Sequence, residues 1–287
     1  MSTPRTTGAD LTTATRSGWQ RFWDRGGWWK ALLAAAVYLA LYLGAGRVVQ
    51  LLFGSHVNDA NPLADATSIF IDITSALVLG AVVLLIFVAS LRWLPELFGR
   101  QPIKGRGWMW IVPAIVLAAA VLRLLGTDFS HFGVGAVVML FITGLFIGLT
   151  EELLTRGIAV NLLRRGGYSE RSVMLLSSLI FALLHSSNLL SGQSPAAVAV
   201  TVVFTFVFGV AMYLTLRVTG SLLWPILLHA ITDPTTMLAT GGIDASTVHL
   251  DPLTTLAGRS IYLYAILALV AVFAVRGRVG EKVPSEP

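Results

Sequence analysis

The chain has 287 residues, of which 55% are hydrophobic and only 12% charged. Its mean hydropathy is +0.78. Apolar runs recur from end to end, which excludes a soluble domain of this length and predicts one all-α, polytopic transmembrane helical bundle. The net charge of +5 is the basic excess of loops beside anionic lipid rather than an affinity for nucleic acid. With no cysteine, disulfides, thiolate metal sites and cysteine nucleophiles are excluded.

Residues 1–27 are polar and carry Arg5, Arg16, Arg21 and Arg25. No short apolar run with a small-residue cleavage site follows, so no removable signal peptide is expected. Trp19, Phe22 and Trp23 suit either an interfacial segment or a solvated tail. About eight spans follow, each near the 20 residues a bilayer core requires. They run Trp29–Phe53, Ser68–Leu91, Trp108–Leu125, Val134–Leu154, Ser172–Leu189, Ala196–Leu216, Leu222–Leu238 and Ala257–Val275. The fourth pattern continues through Leu163, so that helix must tilt, kink near Gly157 or project beyond the membrane. Residues 28–276 thus form the membrane domain, and the Gly-, Pro- and charge-rich residues 277–287 read as a disordered tail.

Lys and Arg cluster in alternate connections: the N-terminal segment, 92–106, 164–171, Arg217 and the C-terminal tail. That alternation places both termini in the cytoplasm. All eight tryptophans fall at the same boundaries, where indoles favour the headgroup layer. Arg47, Asp72, Arg123 and Arg259 fall near outer ends, where snorkelling explains them. His56, His131 and His249 lie at the outer side without metal-ligand spacing.

Six ionisable residues stay deep: Glu151, Glu152 and Arg156 on the fourth span, His185 on the fifth, His229 and Asp233 on the seventh. Charges at membrane depth cost a few kcal/mol each even on lenient scales, so they pair, line a cavity or do chemistry. Glu152 and Arg156 stand at i and i+4 in the favourable order, whereas Glu151 points about 100° away and shares a face with Thr155. At 1.5 Å per residue, Glu151, His185, His229 and Asp233 all lie roughly 12–21 Å from the basic end. His229 and Asp233 share one helix face, as do Phe181 and His185. Pro234 removes the hydrogen bond to the Ala230 carbonyl beside that pair. A salt-bridged helix end with core histidines is the bland reading of each motif; convergence at one depth favours a site. Neither a His-Glu-x-x-His helix nor a Gly-x-Ser-x-Gly elbow is present. The groups suit water activation, with a carboxylate as base and histidine to orient water, donate to an oxyanion or ligate a metal.

Glu151-Glu152-x-x-x-Arg156-Gly157, Phe181-x-x-x-His185 and His229-x-x-x-Asp233, with Gly220-Ser221-Leu222-Leu223-Trp224-Pro225 before the last, resemble the CPBP family. These are the CAAX-protease and bacteriocin-processing (ABI) proteins, related to the Rce1-type prenyl protease. The resemblance implies an intramembrane endopeptidase acting on a membrane-associated peptide or protein at the cell membrane. Glu151 with His185 would activate the attacking water, and His229 with Asp233 would stabilise the oxyanion. Glu152 and Arg156 would hold the first pair. The family is often called metalloprotease, and a metal-free glutamate mechanism has also been argued. No cofactor is therefore assigned, while a divalent metal such as zinc on Glu151, His185, His229 and Asp233 stays open. Position 233 is often Asn in the prenyl-protease branch; Asn can donate to an oxyanion and ionised Asp cannot. The competing class is a non-proteolytic membrane protein, whether immunity protein, scaffold or transporter. No internal repeat supports transport.

Overall fold

The computed structural model describes residues 16–58, 60–240 and 251–280. His249 and residues 281–287 of the expected tail lie outside them. The described residues form helices and turns without a strand. In chain order these are α1 (Gly18–Asp24), α2 (Trp28–Phe53), α3 (Ala66–Ser90), α4 (Leu94–Phe98), α5 (Ile111–Leu125) and α6 (Val134–Arg165). Then come α7 (Glu170–Leu184), α8 (Pro195–Thr219), α9 (Leu223–Thr240) and α10 (Pro252–Ala274). Seven of the helical segments are long and apolar enough to cross a membrane. Helix α9 is long enough but more polar, because His229, Asp233 and four threonines sit in it. Counting α9 among the spans gives the expected eight. The chain is a multi-pass membrane protein, and leucines, valines and phenylalanines cover much of its outer surface.

The middle of α6 is the centre of the bundle. Leu153, Leu154, Thr155, Arg156, Gly157, Ile158 and Ala159 are all buried and form a π-helical stretch. A π-helical stretch, a feature common at functional sites and a usual place for a helix to bend, thus contains Gly157. Helices α6 and α9 share the most extensive contact in the molecule. They cross closely because Gly144 and Gly148 face α9. A Cβ on Gly148 would stand 2.4 Å from the Ile226 carbonyl oxygen, and one on Gly144 would stand 2.3 Å from that of Ala230. Pro234 is the residue whose ring frees the Ala230 carbonyl, and its Cδ packs at the same place. Small residues four apart are the usual means of close helix approach in membranes. The sequence reading passed over this pair.

Helix α1 resolves the N-terminal choice. Ser17 and Gln20 form a reciprocal capping box at its start. Trp23 buries itself against Phe87 of α3, edge to face at 4.9 Å between centroids. Trp93 is buried too, 2% exposed, and donates from Nε1 to Asp24 at 3.1 Å. These two indoles are therefore core anchors and not headgroup-layer residues; Trp19, Trp28, Trp29, Trp110 and Trp224 are exposed as expected. Arg123 is a second correction. It does not snorkel but is 8% exposed, under α9 and α10, within electrostatic reach of Asp233 and Tyr264. Arg47, Asp72 and Arg259 are exposed, and Asp72 accepts from Gln50 Nε2 at 2.7 Å.

Candidate active site

Helix α6 carries two adjacent carboxylates that face different neighbours. Glu152 is fully buried. Its Oε2 lies 3.3 Å from Arg156 Nε, one helical turn on. Its Oε1 lies 2.7 Å from His229 Nδ1 on α9. Arg156 is held from three further sides. Its Nη2 donates to the Gly209 carbonyl on α8 at 2.8 Å, and its Nη1 to the Thr155 hydroxyl. Its guanidinium stacks over Phe181 of α7, 4.6 Å from the ring centroid. Gly209 makes room here, since a Cβ would stand 3.0 Å from both Arg156 Nη2 and Ser178 Cβ and push on both. One arginine thus ties α6 to α7 and α8, and its carboxylate partner ties α6 to α9.

Glu152, paired with Arg156, bonds His229 of the expected oxyanion pair, and Arg156 stacks on Phe181, which carries His185 of the expected water-activating pair. An ionised Glu152, compensated by Arg156, requires His229 Nδ1 to be the donor. The imidazole is then fixed in orientation, with Nε2 directed at the remaining acids. Phe181 and Phe208 flank the ring edge to face at 5.8 and 5.0 Å.

His229 Nε2 lies 3.7 Å from Glu151 Oε2 and 3.6 Å from Asp233 Oδ2. Nδ1 has already taken a proton, so a neutral imidazole would present an acceptor to two carboxylates. Nitrogen and oxygens at this spacing need at least one proton among them. Glu151 is the carboxylate with spare capacity. Its Oε2 is buried and has no hydrogen-bond partner. The residue lines a cavity of about 120 Å³ together with His185, Tyr38, Tyr42 and Ser187. A volume of that size holds a few waters at about 30 Å³ each. His185 caps the C-terminus of α7 and opens the 3₁₀ turn His185–Ser191. Its Nδ1 stands 3.0 Å from the Phe181 carbonyl oxygen, which makes Nδ1 the donor and leaves Nε2 as an acceptor. Phe181 supports both histidines, packing on the His185 ring at 5.0 Å.

All seven sequence-predicted positions converge: Glu151, Glu152, Arg156, Phe181, His185, His229 and Asp233 form one contiguous cluster on α6, α7 and α9. The sequence reading missed the residues that make convergence possible, namely Gly144, Gly148 and Gly209. The Gly-x-x-x-Gly spacing was the available signal for the first two. It also missed Tyr38 and Tyr42, aromatic residues of α2 with nothing local to mark them. Among the described residues, no group of three or more His, Asp or Glu side chains is disposed to hold a metal ion. One nitrogen of each histidine is committed, to Glu152 and to Phe181. Nδ1 is the committed nitrogen in both, an arrangement that suits a metal-ligating histidine as well as a water-orienting one, and the step below runs through no metal.

No curated protein and no solved structure matches the chain significantly. A family model does match: type II CAAX prenyl endopeptidase Rce1-like, over residues 133–235. That segment starts one residue before α6 and ends two residues after Asp233, and it contains every member of the cluster. Over residues 133–235 the chain is similar to the CPBP/Rce1-type family.

Proposed function

We propose that the protein hydrolyses a peptide bond of a membrane-associated peptide or protein, using water activated by Glu151 and His185. The observation that carries this reading is Glu151 itself, which has no hydrogen-bond donor on its buried Oε2 and lines a small cavity with His185. A buried carboxylate without a donor is costly, and it is free to take a proton from water. In the proposed reaction a water in that cavity gives its proton to Glu151 while its oxygen attacks the scissile carbonyl. His185 Nε2 accepts from the second water hydrogen and fixes a lone pair on the carbonyl carbon. The C–O bond forms as the carbonyl π electrons move onto oxygen. Doubly protonated His229 donates from Nε2 to that oxyanion. Asp233 and Glu152 are the acceptors that keep both imidazole protons in place. This assigns Asp233 a role that asks for an acceptor, where Asn would serve as a donor. Collapse of the intermediate passes the Glu151 proton to the leaving amine.

The orientation follows from the arginine distribution: both termini on the cytoplasmic side of the cell membrane. Reporter fusions after Arg106 and Arg165 should then read cytoplasmic, and one near Asn61 external.

The test is cleavage of a membrane-anchored peptide by purified protein in liposomes, comparing wild type with Glu151→Gln, which keeps shape but cannot take the proton. A loss of at least about 100-fold with folding intact is expected. Full activity in the variant would return the cluster to a structural role. Zinc on Glu151, His185, His229 and Asp233 is the competing form of the chemistry. It requires that chelation abolish cleavage and that zinc restore it; water activation by Glu151 and His185 alone requires that chelation leave the rate unchanged.

A further inference from the structure

A second cavity, of about 330 Å³, opens at the arginine-rich end of the bundle, between the connection after α4 and the last turns of α6. Its polar lining is Arg100, Gln101, Arg156, Asn161, Arg164 and Arg165, with Glu96 as the one carboxylate. The arginines of the wall behind it are paired. Arg164 gives Nε and Nη2 to Glu170, each at 2.8 Å, and Nη1 to Gln101 at 2.6 Å. Arg165 pairs with Asp24 at 3.1 Å and with Glu96. Arg156 is engaged by Glu152. The carboxylates on this side therefore already have cations.

Two donors remain. Asn161 is only 7% exposed; its Oδ1 accepts from Arg165 Nε at 3.1 Å, which fixes the amide, and its Nδ2 has no partner. Arg100 stands exposed at the rim, and among the described residues no ion pair or hydrogen bond engages its guanidinium. A buried amide NH₂ without an acceptor is costly, so the site has room in its bonding for one. A cavity that offers an unpartnered amide NH₂ and a free guanidinium suits an oxyanion. Its place at the basic, tryptophan-flanked end of the spans is where lipid phosphates lie.

We infer that this cavity is a phosphate-binding site, with Arg100 and Asn161 as its recognition residues. The site is independent of the proposed hydrolysis. Two sources share the chemistry, a lipid headgroup and free phosphate, and they can be told apart. Full-length protein in a phosphate-free maltoside detergent is titrated with inorganic phosphate, phosphatidylglycerol or diacylglycerol, following tryptophan fluorescence and thermal melting. Arg100→Glu and Asn161→Ala are titrated in parallel. Arg100 is exposed and unpaired, so its variant keeps the test valid should Asn161→Ala fold poorly.

Saturable stabilisation by phosphatidylglycerol and not by diacylglycerol, weakened about tenfold in Arg100→Glu, is the expected result and assigns a headgroup. Stabilisation by inorganic phosphate as well, with the same loss in the variant, assigns a free-anion site of the same chemistry. No phosphate-dependent stabilisation, or equal stabilisation of wild type and Arg100→Glu, overturns the inference.

Discussion

Two fully or largely buried glutamates on successive helices, Glu170 and Glu151, are treated in opposite ways. At the start of α7, Glu170 has every acceptor position used. Arg164 bonds both of its oxygens at 2.8 Å, Arg217 Nη1 reaches Oε2 at 3.0 Å, and the Tyr213 hydroxyl donates to Oε2 as well. Arg217 also reaches the Lys104 carbonyl at 3.1 Å, binding the connection before α5 to α8. This is a lock: two cations and a phenol around one anion leave nothing with which to do chemistry. Glu151, in the middle of α6, has instead an oxygen with no donor, a cavity on one side and His229 Nε2 at 3.7 Å on the other. Burial alone therefore does not mark a functional carboxylate. What marks Glu151 is an unpartnered buried oxygen on a residue that also lines a cavity with a histidine, whereas Glu152 Oε2 has Arg156 Nε at 3.3 Å.

The contrast is most severely tested at Glu170. Glu170→Ala strands two buried arginines, and breaking a buried pair costs roughly 3–5 kcal/mol. Denaturation in detergent should show that loss, with cleavage falling only as far as the folded fraction falls. Arg156→Leu should cost a similar roughly 3–5 kcal/mol, because it strands Glu152, but here the residual folded protein should also be inactive. Unchanged melting of Arg156→Leu would show that the 3.3 Å pair is not what holds Glu152 in place.

Glu151→Gln is the mirror image. An unsatisfied buried carboxylate is replaced by a neutral amide, so stability should hold or rise while the barrier to cleavage rises by about 2.7 kcal/mol, a factor of about 100. His185→Ala should lose activity comparably, and the double variant little more, since groups acting as a unit are not additive. A multiplicative loss in the double variant would separate the two residues into independent roles.

Gly148→Ala is expected to cost about 1–3 kcal/mol, because a methyl placed 2.4 Å from the Ile226 carbonyl forces α6 and α9 apart. The separation moves His229 from Glu151 and Glu152, so activity should fall further than stability. A variant with full activity and altered melting would show that the crossing has more slack than a 2.4 Å approach allows.

The smallest effect is expected outside the spans, at Asp24. Burial pushes its carboxyl up, but hydrogen bonds from Arg16 and Trp93, with the charge of Arg165, outweigh that and hold it below the usual carboxylate range. Its folded value is depressed, so its contribution is complete above the unfolded pKa and is lost as pH falls through the folded one. Melting curves between neutral pH and about pH 3 should therefore converge for wild type and Asp24→Asn, with a difference at neutral pH of at most about 1 kcal/mol.

Much of this molecule is legible in one dimension. Hydropathy alone determines that the chain is a bundle of about eight spans, because every backbone in a bilayer must satisfy itself and a helix is the local way to do so. The deep carboxylates and histidines are conspicuous for the same reason: their cost in hydrocarbon makes them rare. The i, i+4 pairing of Glu152 with Arg156 is also local, fixed by helix geometry before any tertiary contact forms.

Only the tertiary structure decides which carboxylate bonds His229 and which lines the cavity. Glu151 and Glu152 are adjacent and chemically identical, and what separates them is where α9 crosses α6. That crossing is set by Gly144 and Gly148 meeting Ile226 and Ala230, residues far apart in sequence. The same applies to Arg123, Trp23 and Trp93, whose positions near predicted boundaries suggest lipid headgroups while neighbouring helices cover them. Hydropathy reports a residue's distance along the membrane normal. It carries no information on the direction in which the side chain points around that normal, and in a bundle that azimuth decides between lipid, core and cavity.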